Sequence, residues 1–212
     1  MTRYWKVLAD DGSTYHHPSE FRWSLPIKAD DGTWTPGEWM TPGGRKSKLT
    51  DAALCSSKVL HVCEDTQLLN WLGPAIYEVE VDQEKGIVRG DDKCGVRRAR
   101  LLRRMESWNE RTARIFAADC AESVLHLIPD KASRLTCEVA IYVARCYADG
   151  EAARKELDAA RAAARAAARD AAQGAAWDAA WAAARAAAWG AAQGAAWDAY
   201  SKNLIALLES DR

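Results

Sequence analysis

Apolar and polar positions follow one rhythm in the first half of the chain and another in the second. Residues 4–8, Tyr-Trp-Lys-Val-Leu, are strand-forming, and the turn Asp10-Asp11-Gly12 after them predicts a hairpin. A second turn, Asp30-Asp31-Gly32, precedes Thr33-Trp34-Thr35, and residues 36–46 read as loop. The apolar run 58–62 predicts a buried strand. Asp65 or Thr66 is placed to cap a short helix through Trp71, closed by Gly73-Pro74. Tyr77, Val79 and Val81 alternate with Glu78, Glu80 and Asp82, a period of two that marks a half-exposed strand. Residues 96–104 read as a further strand.

Past residue 105 the period changes. Ser107 and Glu110 have capping-box spacing. Trp108, Thr112, Ile115, Phe116, Cys120, Val124 and Leu127 then recur at three- and four-residue steps, which predicts a helix with one apolar face, ended by Pro129. A second helix is expected over residues 131–148, with Leu135, Val139, Tyr142, Val143 and Cys146 on its buried face and Asp149-Gly150 as its stop. All six prolines lie at or before Pro129, so turn signals and helix signals are segregated. The chain therefore reads as α+β. A β-rich domain with a short helix is expected over 1–105, and an all-α, alanine-rich domain over 106–212.

From Arg161 the pattern repeats every four residues: Arg161, Arg165, Arg169, Gln173, Trp177, Trp181, Arg185, Trp189, Gln193, Trp197, with alanines between. Alanine has the highest helix propensity, so a helical tract is expected. A four-residue repeat outruns the helical turn by about 40° per step. Trp177 and Trp197 would stand about 200° apart on one straight helix. Either the helix is enclosed on several sides or it breaks. Gly174, Gly190 and Gly194 are the candidate breaks, with Gly190 favoured, and Leu204, Leu207 and Leu208 are placed to anchor the last turns. The tryptophans Trp177, Trp181, Trp189 and Trp197 have two readings, core packing or an aromatic surface for a partner.

Charge narrows the function. Lys+Arg 29 against Asp+Glu 30 leaves a net charge of -1, which removes the general electrostatic case for a nucleic-acid binder. The beginning of the chain lacks the apolar run of a signal peptide, and no stretch reads as a membrane span. A cytoplasmic location with reduced thiols is the expectation for the six cysteines. The one basic concentration, Arg97, Arg98, Arg100, Arg103 and Arg104 with Arg111 and Arg114, suits either a phosphate or acidic partner, or pairing with Glu78, Glu80, Asp91, Asp92 and Glu106. Cys55, His61, Cys63 and Cys94 are metal-capable types without a zinc spacing. His16 and His17 near Glu20 suggest acid–base chemistry, but no nucleophile accompanies them. Phosphate-binding glycine loops, nucleophile elbows and dinucleotide fingerprints are absent, and no cofactor or metal is expected.

Residues 114–127, Arg-Ile-Phe-Ala-Ala-Asp-Cys-Ala-Glu-Ser-Val-Leu-His-Leu, are followed by a helix ending Tyr147-Ala-Asp-Gly150 and then the alanine tract. Over residues 108–209 this order resembles a family of alanine-rich immunity proteins of actinobacteria and their phages. The first half, through Val59-Leu-His-Val-Cys63 and Ile76-Tyr-Glu-Val-Glu80, resembles an uncharacterised domain of phage and bacterial proteins. Its strand–helix–strand order is also similar to the middle of ADP-ribosyltransferase-like folds, for which Glu78 and Glu80 would be the acid candidates. These resemblances imply a non-enzymatic protein that binds another protein, phage-encoded or actinobacterial and possibly of immunity type. The alternative is an ADP-ribosyltransferase-like enzyme or nucleotide-binding module in the first half. Candidate binding residues are Trp177, Trp181, Trp189 and Trp197, and Arg97, Arg100, Arg103 and Arg104. Homo-oligomers through the alanine helices are a further expectation.

Overall fold

A computed structural model describes residues 2–16, 20–42, 54, 56–175 and 197–210. The chain is α+β and divides into two compact units, Met1–Trp108 with Ser201–Arg212, and Asn109–Tyr200.

Among the described residues the first unit holds eight short strands in three antiparallel sheets. The central sheet has the order β1-β5-β8, formed by β1 (Tyr4–Leu8), β5 (Ala75–Val81) and β8 (Ala99–Arg104). A second sheet joins β4 (Leu60–Val62), β7 (Cys94–Val96) and β6 (Ile87–Arg89) in the order β4-β7-β6. The third is a minimal hairpin, β2 (Ile27–Lys28) with β3 (Trp34–Thr35), closed by the Asp30–Gly32 turn.

The hairpin expected after β1 does not form. Its partner is β5, in register Tyr4↔Val79, Lys6↔Tyr77 and Leu8↔Ala75. The turn is present, with Gly12 at φ 78°, where a Cβ would also meet the Trp23 carbonyl oxygen at 2.9 Å. The segment beyond it lacks alternation, and only Ser13 bridges, to Arg22. Seven alternating residues of β5 outcompete it. Both faces of β1 are buried: Trp5 and Val7 on one, Tyr4 and Leu8 on the other.

The short helix is a 3-10 segment, Asp65–Trp71. Its start is set by Glu64 rather than by Asp65 or Thr66, since the Glu64 N–H donates to Gln67 Oε1 at 3.0 Å. Asp65 instead accepts from Arg3 at 2.9 Å and from Trp5 Nε1 at 2.7 Å.

The second unit begins with α1 (Glu110–Ser123), followed by α2 (Lys131–Ala148) and α3 (Arg154–Ala175). The cap of α1 lies two residues later than expected. Asn109 Oδ1 accepts from the Thr112 N–H at 3.1 Å, and Thr112 Oγ1 accepts from the Asn109 N–H at 3.0 Å. Trp108 consequently precedes the helix. It is buried in the first unit and donates from Nε1 to the Gly73 carbonyl at 2.8 Å. Asp149-Gly150 stops α2 as expected, with Gly150 at φ 78° and the Glu151 N–H bonded to the Cys146 carbonyl at 2.8 Å.

The alanine tract is helical through α3, which continues past Gly174. Gly174 is itself helical, at a cost of about 1 kcal/mol relative to alanine, and the residues after Ala175 lie outside the described residues. Gly190 and Gly194 lie outside the described residues. Residues 197–209 are helical again. The all-α domain expected to run to residue 212 is corrected at its end: Leu204, Ile205 and Leu208 are buried, and from Ser201 onward the chain belongs to the first unit.

Candidate functional site

Among the candidate binding residues, the arginines lie on and just before β8. Cross-strand register places Glu78 opposite Arg103 and Glu80 opposite Arg100. The pairs close at 2.8 and 2.7 Å. Arg104 reaches Asp10 at 2.8 Å, and Arg98 reaches Asp82 at 3.2 Å. Arg98 and Arg100 also cover the Trp39 ring, at 4.5 and 4.8 Å from its centroid. Arg97 is half-buried. Three of the four candidate arginines thus hold carboxylates of their own chain.

The histidines and thiols are embedded in structure. His61 Nε2 lies 2.6 Å from the Leu54 carbonyl oxygen, and burial lowers its pKa. His16 Nε2 lies 2.8 Å from the Trp71 carbonyl oxygen, and its ring meets those of Tyr15 and Trp71 edge-on. Burial pushes the Cys63 thiol up to about 12 and the Cys94 thiol up to about 11, so both remain protonated at neutral pH. Among the described residues no three His, Cys, Asp or Glu side chains gather in a metal-holding group. Cys55 and His17 lie outside the described residues.

The second unit contains a groove. α2 packs against both α1 and α3. Cys137, Ala140, Ile141 and Ala144 form a stripe at helical spacing on α2. These residues floor a groove of about 650 Å³, whose walls are Ala113, Ala117 and Ala121 of α1 and Leu157 and Ala164 of α3. Glu110, Arg114 and Arg161 supply its charged lining.

The opposite face of α2 is also apolar. Leu135, Val139 and Tyr142 fall within about 60° of one another and about 180° from the groove stripe. They are 58%, 50% and 68% exposed. The expectation that these three face the core is therefore corrected. Alanine methyls on the other side of α2 allow close approach of α1 and α3, so the small face is the packed one. The spacing of Cys137, Ala140, Ile141 and Ala144 is the sequence signal for the packed face. Val124 and Leu127 add further exposed apolar surface in the same unit.

Of the ladder tryptophans, Trp197 is 39% exposed. Trp177, Trp181 and Trp189 lie outside the described residues. Trp197 and the β8 arginines belong to different units. Comparison with protein-family models, curated proteins and solved structures finds no match for this chain. Among the described residues no helix is long and apolar enough to cross a membrane.

Proposed function

We propose that this chain is a non-enzymatic binding protein that receives an amphipathic helix of another protein on the outer face of α2. The observation that carries the reading is the double apolar character of α2. A helix apolar on two opposite faces belongs between layers, yet Leu135, Val139 and Tyr142 stand in solvent. Exposed apolar residues gathered at helical spacing mark interaction surfaces.

The edge of the stripe supports a helical partner. Lys131 and Glu138 flank it on one side, two turns apart, and among the described residues no ion pair is formed by either. A partner helix with an acid and a base at matching spacing would pair with both, which fixes its direction. Covering the three large residues contributes about 1.5–3 kcal/mol each, offset by the cost of association. The resemblance of the helices to immunity proteins makes inhibition of one target protein the first form of binding to test.

The enzymatic alternative draws no support from the geometry. Glu78 and Glu80 are engaged by Arg103 and Arg100 on the sheet, and His61 is bonded to backbone.

A photocrosslinker at Val139, introduced in the native host, tests the proposal. One heterologous protein should crosslink, and Leu135→Asp should abolish the adduct while a change at exposed Glu84 leaves it. Crosslinks within the chain, to a second copy, or to nothing would overturn the reading.

A further inference from the structure

Lys6 occupies an unusual position. Strand alternation sets its side chain in the row Tyr4–Lys6–Leu8, whose other members are core residues. Across the sheet it faces Tyr77, also buried. Its Nζ lies 5.5 Å from the centroid of the buried Trp23 ring. Among the described residues no carboxylate acts on it. The titratable group that it does feel is Cys63, a thiol kept protonated by burial. His61, held neutral by burial, feels Lys6, Lys93 and Asp92. The amine thus sits among rings and uncharged groups, yet the residue keeps some solvent exposure.

A lysine in such surroundings loses hydration without gaining a counter-ion, the condition that turns an ammonium into a nucleophile. From this cluster we propose that Lys6 is a reactive amine that condenses with small aldehydes. In the reaction the ammonium first gives a proton to solvent. The nitrogen lone pair then attacks the carbonyl carbon; a C–N bond forms as the C=O π bond breaks onto oxygen, and the nitrogen gives up one proton as the oxygen takes one up. The carbinolamine loses water to leave a C=N bond. No oxidant or reductant enters the balance. The inference concerns the first unit and does not depend on the reading of α2.

Burial supports the chemistry by lowering the Lys6 pKa to about 8. At pH 7.5 roughly a quarter of the amine would be neutral, against about 0.1% for an ordinary lysine.

The test uses the full chain, butanal as probe, and cyanoborohydride added as reductant to trap the imine. Peptide mapping by mass spectrometry gives the rate at each lysine and separates the amino terminus, whose ordinary pKa is also near 8. Lys6 should react at least about tenfold faster than exposed Lys28 or Lys85 at pH 7.5. Its rate should level off above pH 8 while theirs continue to rise. In 6 M guanidinium the advantage should disappear. Lys6 reacting no faster than Lys28 in the native protein, or an advantage that persists on unfolding, would overturn the proposal.

Discussion

The two units hide apolar surface by opposite means. In the first, large side chains fill a closed core: Trp5, Leu8, Ile76 and Leu101 are fully buried. Polar atoms at its edges find backbone partners: Trp71 Nε1 donates to the Asp92 carbonyl at 2.6 Å and the buried Gln67 Nε2 to the Gly90 carbonyl at 2.7 Å. In the second, the buried hydrophobics among the described residues are Ala118, Ile141 and Leu157. Alanine provides helix propensity and close approach, but little area to remove from water. Leu135, Val139 and Tyr142 of α2 are left outside. A unit built this way rests more on helix propensity than on buried area.

The strongest way to break the comparison is one substitution in two places. Leu101 is fully buried in the central sheet, and Leu157 is 1% exposed beside the groove. Leu101→Ala opens a sealed cavity and is expected to cost about 4 kcal/mol. Leu157→Ala enlarges a space that is already open, so the cavity contribution largely drops out and about 2 kcal/mol is expected. Denaturant titration followed by tryptophan fluorescence reads mainly the first unit, since Trp5, Trp23, Trp34, Trp39, Trp71 and Trp108 lie there. Circular dichroism at 222 nm reads mainly the helices. Each substitution should move its own probe. Equal costs would mean that the helical unit is packed as tightly as the sheet.

Lys6 sharpens the contrast, because it sets an amine without a carboxylate partner beside the sheet core. Its folded pKa of about 8 lies below the unfolded value of about 10.4. Between those values the unfolded chain binds more protons, so stability rises with pH across this window. Below pH 8 the amine is charged in both states and the burial cost is present in full. Cys63 works the other way: its raised pKa means that the unfolded thiol ionises first, and stability falls as pH passes about 8.5. Wild type alone therefore mixes two signs. The difference between wild type and Lys6→Met isolates the lysine. Lys6→Met should be more stable at pH 7 by about 1–3 kcal/mol, and the gap should shrink towards pH 10. A gap independent of pH would show that the ammonium is solvated.

How much of this could be read from the chain follows the same division. The strands at 4–8 and 75–81 were legible because alternation and aromatic content agree. The pairing of β1 with β5 was not, because register between segments some seventy residues apart is decided by competition among strands. Capping at Asn109 was obscured by a second plausible box two residues earlier. The Arg100–Glu80 and Arg103–Glu78 pairs were foreseen as one of two uses of the basic run, and only register selects between them. The face of α2 was misread for a physical reason. Periodicity shows that Leu135, Val139 and Tyr142 share a side, but not that a stripe of alanines on the other side packs better against α1 and α3. The termini of the helical region were half legible: Leu204 and Leu208 read as anchors, but not the unit that they anchor.

The smallest expected effect bears on the largest question. If the outer face of α2 is open, Leu135→Asp touches nothing, and its cost should stay within about 0.5 kcal/mol by circular dichroism. Val139→Asp should behave alike, with no added propensity cost, since Val and Asp have similar helix propensities. Solubility should rise in both, because an apolar patch is interrupted. The same substitution at Ile141, on the opposite, groove-facing side of α2, should cost about 3 kcal/mol or more, since a buried carboxylate without a partner is introduced. The pair of results separates two kinds of apolar face on one helix. A cost above about 2 kcal/mol at Leu135 would mean that this face is already covered within the chain. In that case the helical unit would not be open for a partner there, and α2 would be an interior helix on both sides.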